Sequence, residues 1–264
     1  MKYYVVDAFA ENLFEGNPAG VCIMEQWLPD DLMQQIAAEN NLSETAFAVK
    51  TEDGSYRLRW FTPAEEIDLC GHATLATSYV IANFYESNVE QLTFQTMSGE
   101  LVVEKKGDLY ELDFPSRIPT RIAVTEQMVE ALGVTPIEAY LSRDLMLVLD
   151  NEEDVRNAAP DFSKLKLLPD GLGVSITAKS DMSATYDFAS RSFFPKLKVN
   201  EDPVCGSAHC NFIPYWANRL GKSELVARQL SKRSGTLYCK LVGDRVKIGG
   251  SAVLYAVADL QIDS

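Results

Sequence analysis

Histidine occurs only twice in this chain of 264 residues, and basic side chains are outnumbered, 24 Lys and Arg against 38 Asp and Glu. With no Lys/Arg run to offset a formal charge of -14, an electrostatic grip on nucleic acid or anionic lipid is excluded. A small molecule or another protein is the expected partner. No apolar run reaches the ~18 residues of a membrane span, and Met1-Lys-Tyr-Tyr-Val-Val-Asp7 lacks the apolar core of a secretory signal. A cytoplasmic protein with no membrane contact is therefore expected. The cysteines are few and odd in number, five, which fits free thiols in a chain long enough to bury its own core.

What the sequence does have is pattern. Tyr3–Phe9 alternates as a strand does, the turn residues Gly16-Asn-Pro-Ala-Gly20 follow, and Pro29-Asp-Asp31 opens a helix with Leu32, Met33, Ile36 and Ala37 on one face. Strands are expected at Ser43–Val49 and Tyr56–Phe61, which places Glu44 at a strand start. From Gly71 to Tyr85 the residues are apolar nearly all round, the mark of a helix enclosed by a wrapped sheet. A hairpin turning at Lys105–Asp108 and a linker at Pro115–Pro119 close the first half. The second half holds a helix at Glu126–Leu132 stopped by Gly133, and strands at Leu145–Leu149, Val174–Ala178 and Ala184–Phe194. Asn151–Lys166 reads as surface helix or loop, Gly206–Leu220 as a second central helix bent by Pro214, and Ala252–Ile262 as a last strand.

Three ordered blocks recur about 135 residues apart. Arg59-x-Phe61-x-Pro63 returns as Arg191-x-Phe193-x-Pro195, and Cys70-Gly71-x-Ala73 as Cys205-Gly206-x-Ala208. Ser98-Gly99-x-Leu101 with Gly107-Asp108 returns as Ser234-Gly235-x-Leu237 with Gly243-Asp244. The chain reads as a duplicated α+β domain, residues 1–115 and 116–253, each copy a mostly antiparallel sheet around a central helix.

Chemistry gathers at the two Cys-Gly stretches. A helix start carries unsatisfied N–H groups and the positive end of the dipole, so Gly71 and Gly206 offer backbone donors to an anion. The same ends should lower the pKa of Cys70 and Cys205. Both histidines, His72 and His209, fall in these stretches, and a group titrating near neutrality suits proton transfer. Asp202, held extended by Pro203, is placed either to orient His72 or to bind a substrate amine or hydroxyl. Plainer readings stand beside these. Small residues and Cys at a buried helix start serve packing, Glu44 alone is an ordinary strand-end carboxylate, and His209 fits a hydrogen-bonded structural role. A zinc site from Cys70, His72, Cys205, His209 and Cys210 lacks a Cys-x-x-Cys pair, so no metal is expected.

Taken in order, Asp7-Ala-Phe9, Gly16-Asn-Pro-Ala-Gly20, Leu42-Ser-Glu-Thr-Ala-Phe47, Phe61-Thr-Pro63, Leu69-Cys-Gly-His-Ala-Thr74, Glu201-Asp-Pro-Val-Cys-Gly-Ser-Ala-His209 and Gly249-Gly-Ser-Ala-Val253 resemble the PhzF-like phenazine-biosynthesis proteins, which share the diaminopimelate epimerase fold. The resemblance implies two barrel-like domains with the active site in the cleft between them, the last strand (residues 254–264) returning to the first domain, no cofactor, and a homodimer. In the phenazine enzyme, which isomerises a dihydro-hydroxyanthranilate, a glutamate moves the proton while His, Asp and Ser surround the substrate. Matched by motif these are Glu44, His72, Asp202 and Ser207, with Asn17, Gly71 and Gly206 as binding residues. The departure is at Cys70 and Cys205, which that enzyme lacks and which epimerases of this fold use as an opposed acid and base. Gln229-Leu230 also departs, Leu230 standing where many relatives have glycine.

The expected function is thus a cofactor-independent isomerase that shifts a carbon-bound proton on a small amino or hydroxy acid through Glu44. Two alternatives stay open: a two-thiol racemase or epimerase using Cys70 and Cys205, and a non-catalytic protein that binds small carboxylic acids.

Overall fold

The computed structural model describes residues 1–181 and 185–262. The chain divides into two compact units, Met1–Asp113 together with the stretch from Gly249, and Phe114–Ile248.

The first unit begins β1 (Lys2–Ala8), β2 (Asn17–Met24), α1 (Asp30–Asn40), β3 (Glu44–Lys50), β4 (Tyr56–Phe61), β5 (Glu66–Ile67), α2 (Gly71–Val80), β6 (Gln91–Thr96), β7 (Gly99–Lys106) and β8 (Leu109–Pro115). Helix α2 continues into a π-helical turn, Ile81–Tyr85. Then follow β9 (Thr120–Ile122), α3 (Glu126–Leu132), β10 (Glu138–Leu141), β11 (Leu145–Val148), α4 (Glu152–Asn157), α5 (Phe162–Leu167), β12 (Val174–Lys179), β13 (Phe188–Phe194), β14 (Val199–Asp202), α6 (Gly206–Leu220), β15 (Glu224–Gln229), β16 (Gly235–Val242), β17 (Arg245–Gly250) and β18 (Ala252–Asp259). Of the strand expected over Ala184–Phe194, Phe188–Phe194 is β13, and Ala184 lies outside the described residues, as do residues 263 and 264 of the last segment. The stretch left open as helix or loop is two short helices, α4 and α5, each with a side-chain N-cap, from Asn151 and Asp161. The short strands β5, β9, β10 and β14 carry no alternation long enough to announce them.

The internal repeat is a repeat of pairing. In the first unit β1 pairs antiparallel with β18 and β2, β2 runs parallel to β3, β3 antiparallel to β4, and β4 parallel to β6. In the second unit β10 pairs antiparallel with β9 and β11, β11 runs parallel to β12, β12 antiparallel to β13, and β13 parallel to β15. Parallel neighbours need a crossover, and each of the four is spanned by helix: α1, α2, α4 with α5, and α6.

The recurrent Arg-x-Phe block also has a physical reason. Arg59 forks onto Glu66 through Nε and Nη2 at 2.6 and 2.7 Å, and Arg191 forks onto Glu201 through the same nitrogens at 2.7 and 3.0 Å. Each guanidinium also lies 5.1 Å from the ring two residues on, Phe61 or Phe193. A bidentate fork on a half-buried carboxylate fixes the segment that runs into each Cys-Gly helix start.

Helix α2 is buried at His72–Ser78 and Val80, and its polar side chains turn inward on themselves. Thr74, Thr77 and Ser78 hydroxyls donate to the carbonyls four residues back, at 2.6, 2.7 and 2.8 Å. On the other face of the first-unit strands, Met33, Ile36 and Ala37 of α1 pack with Tyr3, Cys22, Phe47 and Phe61. The second unit's equivalent layer joins Met128, Leu132 and Leu165 to Leu147, Ile176 and Phe193. Pro214 sits inside α6 and has no N–H to give the carbonyl of Cys210; that carbonyl instead accepts from the backbone N of Arg117 at 2.9 Å.

Candidate active site

Gly16 adopts φ +68°, and a Cβ there would stand 2.2 Å from the Ala8 carbonyl oxygen. Only glycine makes this turn, and it delivers Asn17, almost wholly buried, to the first residue of β2. Parallel pairing sets Ala19 against Glu44, so the strand start expected for the glutamate is where it lies. Cys70 is the N-cap of α2 with an extended backbone and no side-chain capping bond, and His72 follows two residues into the helix.

These residues converge on one imidazole. Nδ1 of His72 lies 3.3 Å from Asn17 Nδ2 and 3.5 Å from Cys70 Sγ. Nε2 lies 3.1 Å from Oε2 of Glu44. That short approach is off the hydrogen-bonding direction, for both Nε2 and Oε2 are buried without a hydrogen bond. Burial opposes the imidazolium, but Cys70 and Glu44, on opposite edges of the ring, together hold the His72 pKa well above its ordinary 6.5.

In the second unit the start of α6 gathers Asp202, Cys205, Gly206 and Ser207. Cys205 is the N-cap, again without a capping side chain, and a Cβ on Gly206 would meet nothing within 4 Å. Asp202 Oδ1 accepts from Val204 N at 3.1 Å, and Ser207 Oγ lies 3.4 Å from Cys205 Sγ. Three further residues complete this second cluster without any motif to flag them. Gln229, fully buried, accepts from Cys205 N at 2.9 Å and donates to the Asp202 carbonyl at 2.7 Å. Arg143 donates from Nη2 to Ser207 Oγ at 3.1 Å and is held by the buried Asp144.

One expectation is corrected. The thiols of Cys70 and Cys205 do not have lowered pKa values. Burial pushes Cys70 up and Glu44 adds to it, while burial pushes Cys205 well up and Asp202 adds to it. A fully desolvated thiolate costs more than a helix start returns. All five cysteines, 22, 70, 205, 210 and 239, are free and buried. His209 has the structural role: Nδ1 donates to the Cys205 carbonyl at 2.7 Å, Phe188 and Phe212 flank the ring, and burial pulls its pKa down to about 4.

Glu44, Cys70 and His72 bring ligand-type atoms within 4.8 Å of one another. The thiol faces Nδ1 and the carboxylate faces Nε2, and the lone pairs of these two nitrogens diverge. Through these two nitrogens a proton can pass across the ring.

A mostly antiparallel α+β architecture, repeated, is that of the epimerase-like folds. A probable proline racemase of Agrobacterium radiobacter shares it, with a TM-score of 0.62 at 10% identity over 99% of this chain and 93% of that one. Residues 6–258 match the family model described as phenazine biosynthesis-like protein, and the chain belongs to that family. It is 49% identical to an uncharacterized isomerase of Pseudomonas aeruginosa over 99% of both sequences. It is also 55% identical to a PhzF-family protein of Enterococcus faecalis of known structure, with a TM-score of 0.96 and 99% of each chain covered.

Proposed function

We propose that this protein is a cofactor-independent isomerase that moves a carbon-bound proton on a small carboxylic acid, with Glu44 as the general acid and base. The observation that carries the reading is the pair of buried atoms 3.1 Å apart, Glu44 Oε2 and His72 Nε2, neither of which has a hydrogen bond. Buried polar atoms left unpaired are costly, and a substrate oxygen or an acidic C–H presented there satisfies them. Glu44 takes the proton from a carbon lying between a carboxylate or carbonyl and a C=C bond, the electron pair delocalises onto the oxygen, and as Glu44 returns the proton to the far carbon of that C=C the pair leaves the oxygen and the double bond shifts by one position. His72 and the N–H of Gly71 donate to the developing oxyanion, and the motif match assigns substrate binding to Asp202, Gly206 and Ser207 as well. The family and its relatives named as isomerases support this class. The resemblance of the motifs supports a homodimer, and among the described residues no helix is long and apolar enough to cross a membrane.

The thiol reading keeps one specific observation in its favour, the 3.5 Å approach of Cys70 Sγ to His72 Nδ1. The two mechanisms separate in deuterated water, over a panel of cyclic and acyclic amino and hydroxy acids read by NMR or mass spectrometry. Glu44→Gln is expected to lower deuterium uptake by about 10²–10⁴, with Cys70→Ala and Cys205→Ala retaining most of it. The reverse pattern assigns the chemistry to the thiols. Binding of acids without uptake in any of them makes the chain a binding protein.

A further inference from the structure

The second unit contains a cation cluster that the proton-transfer reading leaves unused. Asp144 is 1% exposed; its Oδ1 accepts from Gly173 N at 3.1 Å, and its Oδ2 accepts from Arg143 Nε and Nη2 at 3.0 and 2.7 Å. A buried, doubly bonded carboxylate thus fixes one edge of a guanidinium whose side chain is 39% exposed. Nη2 is shared with Ser207 Oγ, and Nη1 has no partner among the described residues. The strand registers show what the repeat has changed. Val174 pairs with Phe193 as Thr45 pairs with Phe61, and Leu145 pairs with Val174 as Gly20 pairs with Thr45, so Arg143 falls where the first unit has Pro18.

A second guanidinium makes the case independently. The backbone of Arg117 is pinned to the Cys210 carbonyl that Pro214 leaves free, and its Nη1 is buried with no hydrogen bond. Arg117, Arg143 and Arg245 all act electrostatically on the Cys210 thiol, one turn along α6 from Ser207. A buried N–H with no acceptor is an uncompensated cost in the protein alone, and a planar acid meets the fork geometry of arginine on two oxygens.

We propose that Arg143, joined by Arg117, forms a carboxylate-binding subsite beside Ser207, and that substrates of this protein are acids held there by the carboxylate. This deepens the isomerase reading and rests on it for the identity of the bound acid as substrate. The test is calorimetric, with benzoate as probe and benzamide as its neutral isostere, on the full chain. Benzoate is expected to bind at least tenfold tighter than benzamide. Arg143→Met and Arg117→Met each weaken benzoate tenfold or more and leave benzamide unchanged, and Arg143→Lys loses severalfold because it keeps charge without the fork. Arg143→Lys also preserves a cation beside buried Asp144 and carries the test if Arg143→Met does not fold, as judged by thermal unfolding. A folded Arg143 variant that binds benzoate as the parent does, or a parent protein that fails to prefer benzoate, overturns the subsite. Arginine-dependent benzoate binding with no deuterium uptake in any acid removes the isomerase reading and leaves the subsite standing.

Discussion

Gln229 is the residue whose removal most directly tests how the second helix start is held. Its side chain is fully buried and bridges Cys205 N and the Asp202 carbonyl at 2.9 and 2.7 Å, across 24 and 27 residues of sequence. Gln229→Ala orphans a buried N–H at about 1–3 kcal/mol and forfeits one methylene at about 0.8 kcal/mol. The half-buried Asp202 carbonyl turns to water at little cost. The sum is roughly 2–4 kcal/mol of unfolding free energy. Gln229→Leu keeps the volume and isolates the hydrogen bonds, so about 2 kcal/mol is expected. Urea unfolding gives both numbers, and amide exchange at Cys205 reports the lost bond locally. Because Cys205 is the N-cap that positions Gly206 and Ser207, deuterium uptake into substrate should fall tenfold or more in Gln229→Leu. A leucine variant within 0.5 kcal/mol of the parent, with Cys205 exchange unchanged, would refute the bridge.

The two histidines give pH predictions of opposite sign. His209 is held neutral with its pKa drawn from 6.5 to about 4. Its contribution is therefore present above pH 6.5 and lost as pH falls toward 4, about 3 kcal/mol in all, and His209→Gln should flatten that acid limb in urea titrations. His72 is raised, so its contribution is present below pH 6.5 and lost as pH climbs through the higher folded value. With two histidines in the chain, the imidazole NMR spectrum assigns itself: one ring titrates near 4, the other well above 6.5. Glu44→Gln and Cys70→Ala should each move only the upper titration, downward; an upper titration indifferent to both would mean that neither group reaches the ring. Leu75→Ala, in the fully buried α2, should cost about 2–5 kcal/mol in the same urea assay.

Much of the fold is legible because the chain was duplicated. A period of about 135 residues exposes Arg59 and Arg191, Cys70 and Cys205 as equivalents, and short-range patterning supplies α1, α2, α3 and the long strands. Strands β5, β9, β10 and β14, of two to four residues, are too short to show a period. The first unit's polar cluster is also legible, since Asn17, Glu44, Cys70 and His72 lie in or beside turn and helix-start motifs. Arg143, Asp144 and Gln229 do not, because their roles arise from register and burial: Asp144 becomes an anchor only when Gly173 N meets it across the β11–β12 edge. The thiol pKa values could not be inferred from a helix start alone, since the dipole is a local term and desolvation depends on the whole fold.

On the proposed mechanism, the registers give a reason for a base at one helix start and not at both. Ala19 pairs with Glu44 and Thr45 with Phe61, while Val174 pairs with Phe193, so the position equivalent to Glu44 in the second unit is Gly173. It cannot carry a carboxylate. A Cβ there would stand 2.2 Å from two carbons of the Phe194 ring and 3.1 Å from the Phe193 carbonyl, and Phe194 stands where the first unit has Thr62. Gly173→Ala is accordingly expected to cost about 1–3 kcal/mol by overpacking, and Phe194→Ala about 3–5 kcal/mol by cavity formation. The double variant should be more stable than their sum by at least 1 kcal/mol, since the removed ring makes room for the added methyl. Additive losses in urea unfolding would mean that the ring yields freely and does not exclude a side chain. Positive coupling would instead identify Phe194 as the residue that excludes a side chain from this position in the second copy.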